Sequence, residues 1–247
     1  MVPLSSRQQQ VASLVAAGYS NRDIATELNV TEQIVKNVVH SLFDRIGVWN
    51  RVELANYFSQ SSSPDEVAIA QSRIESDRLA ELRRLNILDS SAERIFDELA
   101  LIAANIFNVP IAVVAFADSN RIWFKSKVGL SASEVPREIT ICHSTIQQSK
   151  VFVVNDALDD QRFSCNPLVV AEPKVRFYAS APILTEAGYA LGVVCIVDRV
   201  ARNFTPTQAA VLQSLARVAR EQINLRSQLA ALKDSEIADA GAQGLAA

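Results

Sequence analysis

The sequence predicts a chain in two parts: an all-α unit of four helices, then an α+β unit whose antiparallel sheet is flanked by helices and followed by a long C-terminal helix. Three observations carry this. Up to Phe58 apolar residues recur only at helical spacing. From Ile111 onward, short β-rich runs alternate with turn residues. Between the two, the polar stretch SQSSSPDE, Ser59 to Glu66, interrupts the apolar pattern as a linker does. The expected boundaries are 1–60 for the first unit, 61–75 for a connector that can turn helical from Val67, 76–232 for the second unit and 233–247 for a tail. That tail, DSEIADAGAQGLAA at its end, has few large apolar residues and is expected to fray.

Each helix of the first unit has its own signals. Ser5 or Ser6 can cap the first, with Gln8 or Gln9 completing a capping box, and Gly18 ends it after Val11, Leu14 and Val15. Ser20 precedes a second helix carrying Ile24, Ala25 and Leu28, and Thr31 caps a third that runs to Gly47. On a helical wheel, Val35, Val38, Val39, Leu42 and Ile46 share one face of the third helix. Gln33, Lys36, Asn37, Ser41 and Asp44 share the other, with His40 beside Lys36. A fourth helix near Asn50 to Phe58 adds Leu54 and Phe58.

In the second unit, ESDRLAELRRLNILD is helical, and AERIFDELALIAANIFNVP carries a stripe of Ile95, Leu99, Ile102 and Ile106. The period then changes. IAVVAFAD, RIWFKSKVG, VFVVND, VRFYASAPIL and YALGVVCIVD read as strands, and the short spacings at Ser119 and Ala187 imply hairpins, hence an antiparallel sheet with helices over one face. From Thr205 to Leu232, Val211, Leu215, Val218, Gln222, Leu225, Leu229 and Leu232 recur at heptad spacing, which points to pairing with a second copy as a homodimer.

Composition narrows the function classes. The chain has 247 residues, 49% hydrophobic and 21% charged, with a net charge of −3, so any attraction to nucleic acid must be local. No apolar run reaches the roughly 18 to 20 residues of a membrane span. The N-terminus MVPLSSRQQQ lacks the runs of a signal peptide, and Cys142, Cys165 and Cys195 are too scattered for a disulfide scaffold. A reducing cytoplasm is expected, with no membrane partner. With two histidines, seven glycines, no Ser-His-Asp set, no paired acids and no phosphate-binding glycine loop, an enzyme is not expected. The residues name no cofactor.

The stretch from Leu4 to Phe58 resembles the LuxR-type helix-turn-helix domain, most specifically in GYSNRDIA, VKN, IGV and NRVELA. The resemblance implies that the helix from Thr31 to Ile46 enters the major groove of DNA. The expected contacts are Gln33, Lys36, Asn37, His40, Ser41 and Arg45. Yet residues 1 to 60 hold Arg7, Arg22, Lys36, Arg45 and Arg51 against Asp23, Glu27, Glu32, Asp44 and Glu53 and are neutral overall, so one copy should bind weakly and two half-sites should help.

Residues 76 to 226 resemble a GAF domain, through RLNILD, WFKSKVGL, PREITICHSTI, DALDDQRFSCNPLV, VRFYASAPI and GYALGVVCIVD. By that resemblance a small-molecule pocket is expected from Trp123, Ile139, Cys142, His143, Phe163, Phe177 and Tyr178. Cys142-His143 is similar to the pair to which some phytochrome-type GAF domains attach a bilin, but STIQQSK follows it where that group has another context. As metal ligands, two adjacent residues on a strand or extended loop would point apart, so no metal site is expected. Cys142 reads as a pocket or core residue and Cys195 as a core thiol. The whole implies a DNA-binding transcription regulator whose GAF domain senses a ligand or joins subunits. The alternatives are a GAF-based thiol redox sensor or methionine sulfoxide reductase, and a protein-interaction module without DNA binding.

Overall fold

Polar caps set where the N-terminal helices begin in the computed structural model, which describes residues 3–59, 63–148 and 150–244. Helix α1 (Ser6–Ala16) starts with a reciprocal box, in which Gln8 N donates to the Ser5 hydroxyl and Ser5 N to Gln8 Oε1. Ser20 and Asp23 repeat it for α2 (Asn21–Glu27). Thr31 caps α3 (Glu32–Ile46), which stops at Gly47 with a left-handed φ of 77°. The Asn50 side chain accepts from Glu53 N at 2.7 Å and starts α4 (Arg51–Phe58). Val11, Val15, Ile24, Val35, Val39, Leu42 and Leu54 form the core of this unit. On α3, Val38 and Ile46 are only half-buried, and Phe43 is buried in addition.

The connector expected at 61–75, with helix from Val67, is helical from three residues earlier, at Pro64. A single α5 spans Pro64–Arg84, with Ser63 and Glu66 as a capping box and Pro64 in its first turn. The stretch read as a breaker is therefore a start signal: proline lacks only an N–H that the first turn leaves unpaired anyway.

Helix α6 (Arg94–Phe107) also differs from expectation. Of its predicted stripe only Leu99 is buried, whereas Ile95, Ile102 and Ile106 are exposed. Phe96, Leu99, Ala100, Ala103, Ala104 and Phe107 face the core instead. The alanines let the helix approach the sheet closely while the two phenylalanines fill its ends.

Among the described residues the strands are β1 (Ile111–Ala117), β2 (Arg121–Val128), β3 (Glu134–Pro136), β4 (Phe152–Val154), β5 (Phe177–Leu184) and β6 (Ala190–Asp198). They lie in the order β3-β2-β1-β6-β5-β4 with every neighbouring pair antiparallel. Central β1 and β6 are buried along their whole length, which accounts for their unbroken apolar runs. One face, with Phe116, Phe177, Leu191 and Ile196, packs under α6 and α9 (Pro206–Gly244) in a core continuous with that of the N-terminal unit. The other face, with Val113, Ala115, Tyr178 and Cys195, is covered by α7 (Cys142–Ile146), α8 (Pro167–Val170) and the loops around them. The tail expected to fray continues α9 as helix to Gly244. Among the described residues no helix is long and apolar enough to cross a membrane.

Candidate functional site

The polar side of α3 divides into two stripes. Gln33, Asn37, Ser41 and Arg45, spaced four apart, form an exposed one. Gln33 Nε2 donates to Asn37 Oδ1 at 3.1 Å, while Gln8 of α1 donates to Ser41 Oγ at 3.1 Å and accepts from Arg45 Nη1 at 3.4 Å. These side chains are ordered by exposed hydrogen bonds that a base edge or phosphate could replace.

Lys36 and His40 form the second stripe, and it faces the C-terminal unit. Lys36, paired with Glu32 at 3.6 Å, lines a groove of about 770 Å³ whose far wall includes Asp77 and Glu81 of α5, Glu186 of the β5–β6 turn and Arg220 of α9. His40 and Asp44 line a second groove of about 540 Å³, opposite Pro182 and, from α9, Gln213 and Arg217. The ring of His40 meets Phe43 edge-on, with centroids 6.2 Å apart.

The junction between the grooves is packed around Arg51, which is fully buried. Its Nη1 donates to Asn21 Oδ1 at 2.8 Å and its Nη2 to the Tyr19 carbonyl. Across the junction its guanidinium stands 5.6 Å from the centroid of the Tyr189 ring, and its backbone N–H donates to the Gly188 carbonyl at 3.0 Å. The Tyr189 hydroxyl in turn donates to Asp77 at 3.3 Å. Burial lowers the Arg51 pKa, raises that of Asp77 and pushes Tyr189 up to about 12. A buried cation held by carbonyl oxygens and a π face ties α4 to the C-terminal unit.

The residues expected to line one ligand pocket fall on different surfaces. Cys142 and Tyr178 do line a mostly apolar cavity of about 410 Å³ on the sheet face opposite α6. Trp123 and Phe177 do not; both belong to the helix-covered core, Trp123 against Phe116 and Phe177 against Phe204. Phe177 and Tyr178 are consecutive in β5 and must point to opposite faces. Phe163 is core, edge-on to Phe152 at 6.0 Å, and the Ile139 carbonyl accepts from Asn166 at 2.8 Å.

Cys142 and His143, expected on a strand or extended loop, begin the short helix α7. They diverge there too. The His143 ring accepts from Arg137 Nε at 3.3 Å and lies 3.1 Å from Gln147 Nε2, and burial, then the Arg137 charge, lowers its pKa. Among the described residues no three or more His, Cys, Asp or Glu side chains gather as a metal could require.

Sequence reasoning missed Cys195 and Val113 in the cavity wall, along with Arg199 and Glu172. Alternation along β6 and β1 was the available signal, but an unbroken apolar strand hides which face is which. It also missed a part-buried network that ties α5 to the segment before α7. Arg137 donates to Glu75 of α5 at 2.6 Å, and Arg78 donates to the same carboxylate at 2.8 Å. Burial alone would raise the Glu75 pKa; hydrogen bonds from Arg78 and Arg137 outweigh it and hold it at about 2.

Comparison with known proteins agrees with both units. Residues 2–58 match the model for bacterial regulatory proteins of the luxR family, and residues 91–223 match the GAF domain model. A cyclic di-GMP phosphodiesterase of Pseudomonas aeruginosa is 37% identical over 155 residues, which is 62% of this chain and 26% of that protein. The HTH-type transcriptional regulator MalT of Klebsiella pneumoniae is 36% identical over 58 residues, 24% of this chain and 6% of that protein. The chain thus spans about a quarter of the first relative's length and far less of the second's. The GAF domain of an Acinetobacter phosphoenolpyruvate-protein phosphotransferase superposes with a TM-score of 0.46 at 15% identity, covering 62% of this chain and 97% of that one. Since the GAF match takes in more than half of the 247 residues, the chain belongs to the GAF domain family, and it carries a luxR-family helix-turn-helix domain ahead of the GAF domain.

Proposed function

We propose that the chain is a cytoplasmic, DNA-binding transcription regulator whose GAF domain draws the helix-turn-helix into a docked state that competes with DNA and weakens its binding, and releases it on a signal. One observation carries this reading: Lys36 and His40 of α3 line grooves walled by the GAF domain. An α-helix with its side chains is roughly 10 to 12 Å across and fills a major groove about 12 Å wide. Both flanks of α3 must therefore be clear for the two phosphate backbones. One flank is taken by α5, the β5–β6 turn and α9, which occupy the space a phosphate backbone would need.

Two copies suit this function better than one. The N-terminal unit is neutral overall, and a pair spanning two half-sites doubles its contacts. Val218, Leu225 and Leu229 of α9 and Ile102 and Ile106 of α6 are exposed apolar residues that a second chain would cover as a homodimer. The GAF cavity, at about 410 Å³ and mostly apolar, suits a small apolar ligand.

Selection of bound fragments from a genomic pool by the purified chain, followed by titration of the parent and Asn37→Ala, tests the reading. We expect an enriched sequence and a loss of roughly 1 to 3 kcal/mol in Asn37→Ala, as for one base contact. No enriched sequence, or equal affinities, would sink it and favour a protein-interaction module.

A further inference from the structure

The GAF cavity ends on two thiols. Cys142 begins α7 and Cys195 lies within β6; both are buried, and both line the cavity beside Tyr178. The Tyr178 hydroxyl donates to Cys142 Sγ at 3.2 Å, and Cys195 lines the same cavity beside them. A hydroxyl donating to that sulfur favours its thiolate, because the hydrogen bond is stronger to the charged form. The neighbouring Cys195 thiol, and after it the Tyr178 hydroxyl, lowers the Cys142 pKa against the opposing effect of burial. The same contact, with burial, moves Cys195 well above its ordinary value. One sulfur is thus prepared to attack, and its neighbour keeps its proton until a bond forms. Cys165, by contrast, is exposed and outside the cavity.

We propose that Cys142 and Cys195 are a redox pair that reads hydroperoxides admitted to the GAF cavity. The Cys142 thiolate attacks the terminal oxygen of the hydroperoxide. The O–O bond breaks, an S–O bond forms, and the departing alkoxide takes up the proton that Cys142 had released. Cys195 then loses its proton and attacks the resulting sulfenic sulfur. Hydroxide leaves and is protonated to water, so two thiols and one hydroperoxide become one disulfide, one alcohol and one water. The wall of Val113, Leu130, Val135 and Val175 favours an organic hydroperoxide over hydrogen peroxide.

A route from this bond to the helix-turn-helix is built into the fold, and its use rests on the regulator reading above. A disulfide pins α7 to β6. The next residue, His143, is bonded to Arg137, and Arg137 to Glu75 on α5, the helix that joins the two domains.

The test uses the full chain carrying Cys165→Ser, reduced and then exposed to one equivalent of cumene hydroperoxide or of hydrogen peroxide. Denaturing alkylation and peptide mass spectrometry should find Cys142 linked to Cys195 and two hydrogen masses lost. Cumene hydroperoxide should react roughly ten-fold faster or more, in keeping with the apolar wall. Cys195→Ser should stop at a sulfenic acid on Cys142 that dimedone traps, and Cys142→Ser should leave Cys195 reduced. No linked peptide in the Cys165→Ser protein, or a Cys142 in the parent that reacts no faster than Cys165, would overturn the proposal without reference to DNA. A disulfide that forms while DNA affinity stays put upholds the pair and refutes only its use by the regulator.

Discussion

Gly188→Ala separates the two domains by steric means. Gly188 lies in the β5–β6 turn at a φ of +83°, and a Cβ there would meet Phe43 Cζ at 2.6 Å, Phe43 Cε2 at 2.9 Å and the Arg51 nitrogen at 3.0 Å. The substitution has two costs. The left-handed conformation costs about 1 to 2 kcal/mol whether or not the domains are docked. Overpacking against Phe43, only 6% exposed, costs about 1 to 3 kcal/mol, and it applies only in the docked state. That second cost alone shifts the docked population toward release by about 5- to 150-fold. Gly47→Ala is the control: its φ is +77° and nothing lies within 4 Å of the added Cβ, so it carries strain without a clash. Small-angle scattering and DNA titration should show a larger radius of gyration and tighter binding for Gly188→Ala, and neither for Gly47→Ala. Identical behaviour of the two variants would refute the idea that the Phe43–Gly188 contact holds the helix-turn-helix back.

Asp44→Lys places a positive charge in a groove it shares with Arg217 and Arg220, which disfavours docking and attracts phosphate. Binding should tighten with little change in sequence preference, and the gain should shrink in high salt; a titration at two salt concentrations checks it. Lys36→Ala should weaken specific binding by roughly 1 to 3 kcal/mol while leaving the melting temperature unchanged, since its ion pair with Glu32 is a partly exposed one. The Glu75 carboxyl, depressed from 4.5 to about 2, contributes stability that is present above pH 4.5 and is lost as pH falls through about 2. Glu75→Gln should therefore cost about 1 to 2 kcal/mol at pH 7, after discounting for its partial exposure, and flatten the acid limb of urea melts between pH 5 and pH 2. Replacing both Leu225 and Leu229 with Glu should convert a homodimer to monomer in sedimentation, and a parent that is already monomeric would contradict the pairing of α9.

What the sequence determined by itself is what depends on neighbours a few residues away. Ser5, Ser20, Thr31 and Asn50 start the four N-terminal helices because a cap bonds to an N–H two or three residues on, and Gly47 ends one because only its own backbone must turn left-handed. Hairpins at Ser119 and Gly188 are legible for the same reason. The local signal at Ser63-Pro64 carries two meanings, since the residues that break one helix also begin the next. Burial is another matter, because it depends on what arrives from elsewhere in the chain. The stripe of α6 that faces the sheet was chosen by close approach through Ala100 and Ala103 rather than by its largest residues. Trp123 reached the helix-covered face in a strand whose pairing with β1 shifts at a bulge after Val114, and Phe177 was committed there once Tyr178 took the cavity. The meeting of Cys142 with Cys195, and of Lys36 and His40 with the GAF domain, joins residues far apart in sequence. No periodicity records such contacts, because they exist only after both surfaces have folded and the free energy of burying them together has selected the arrangement.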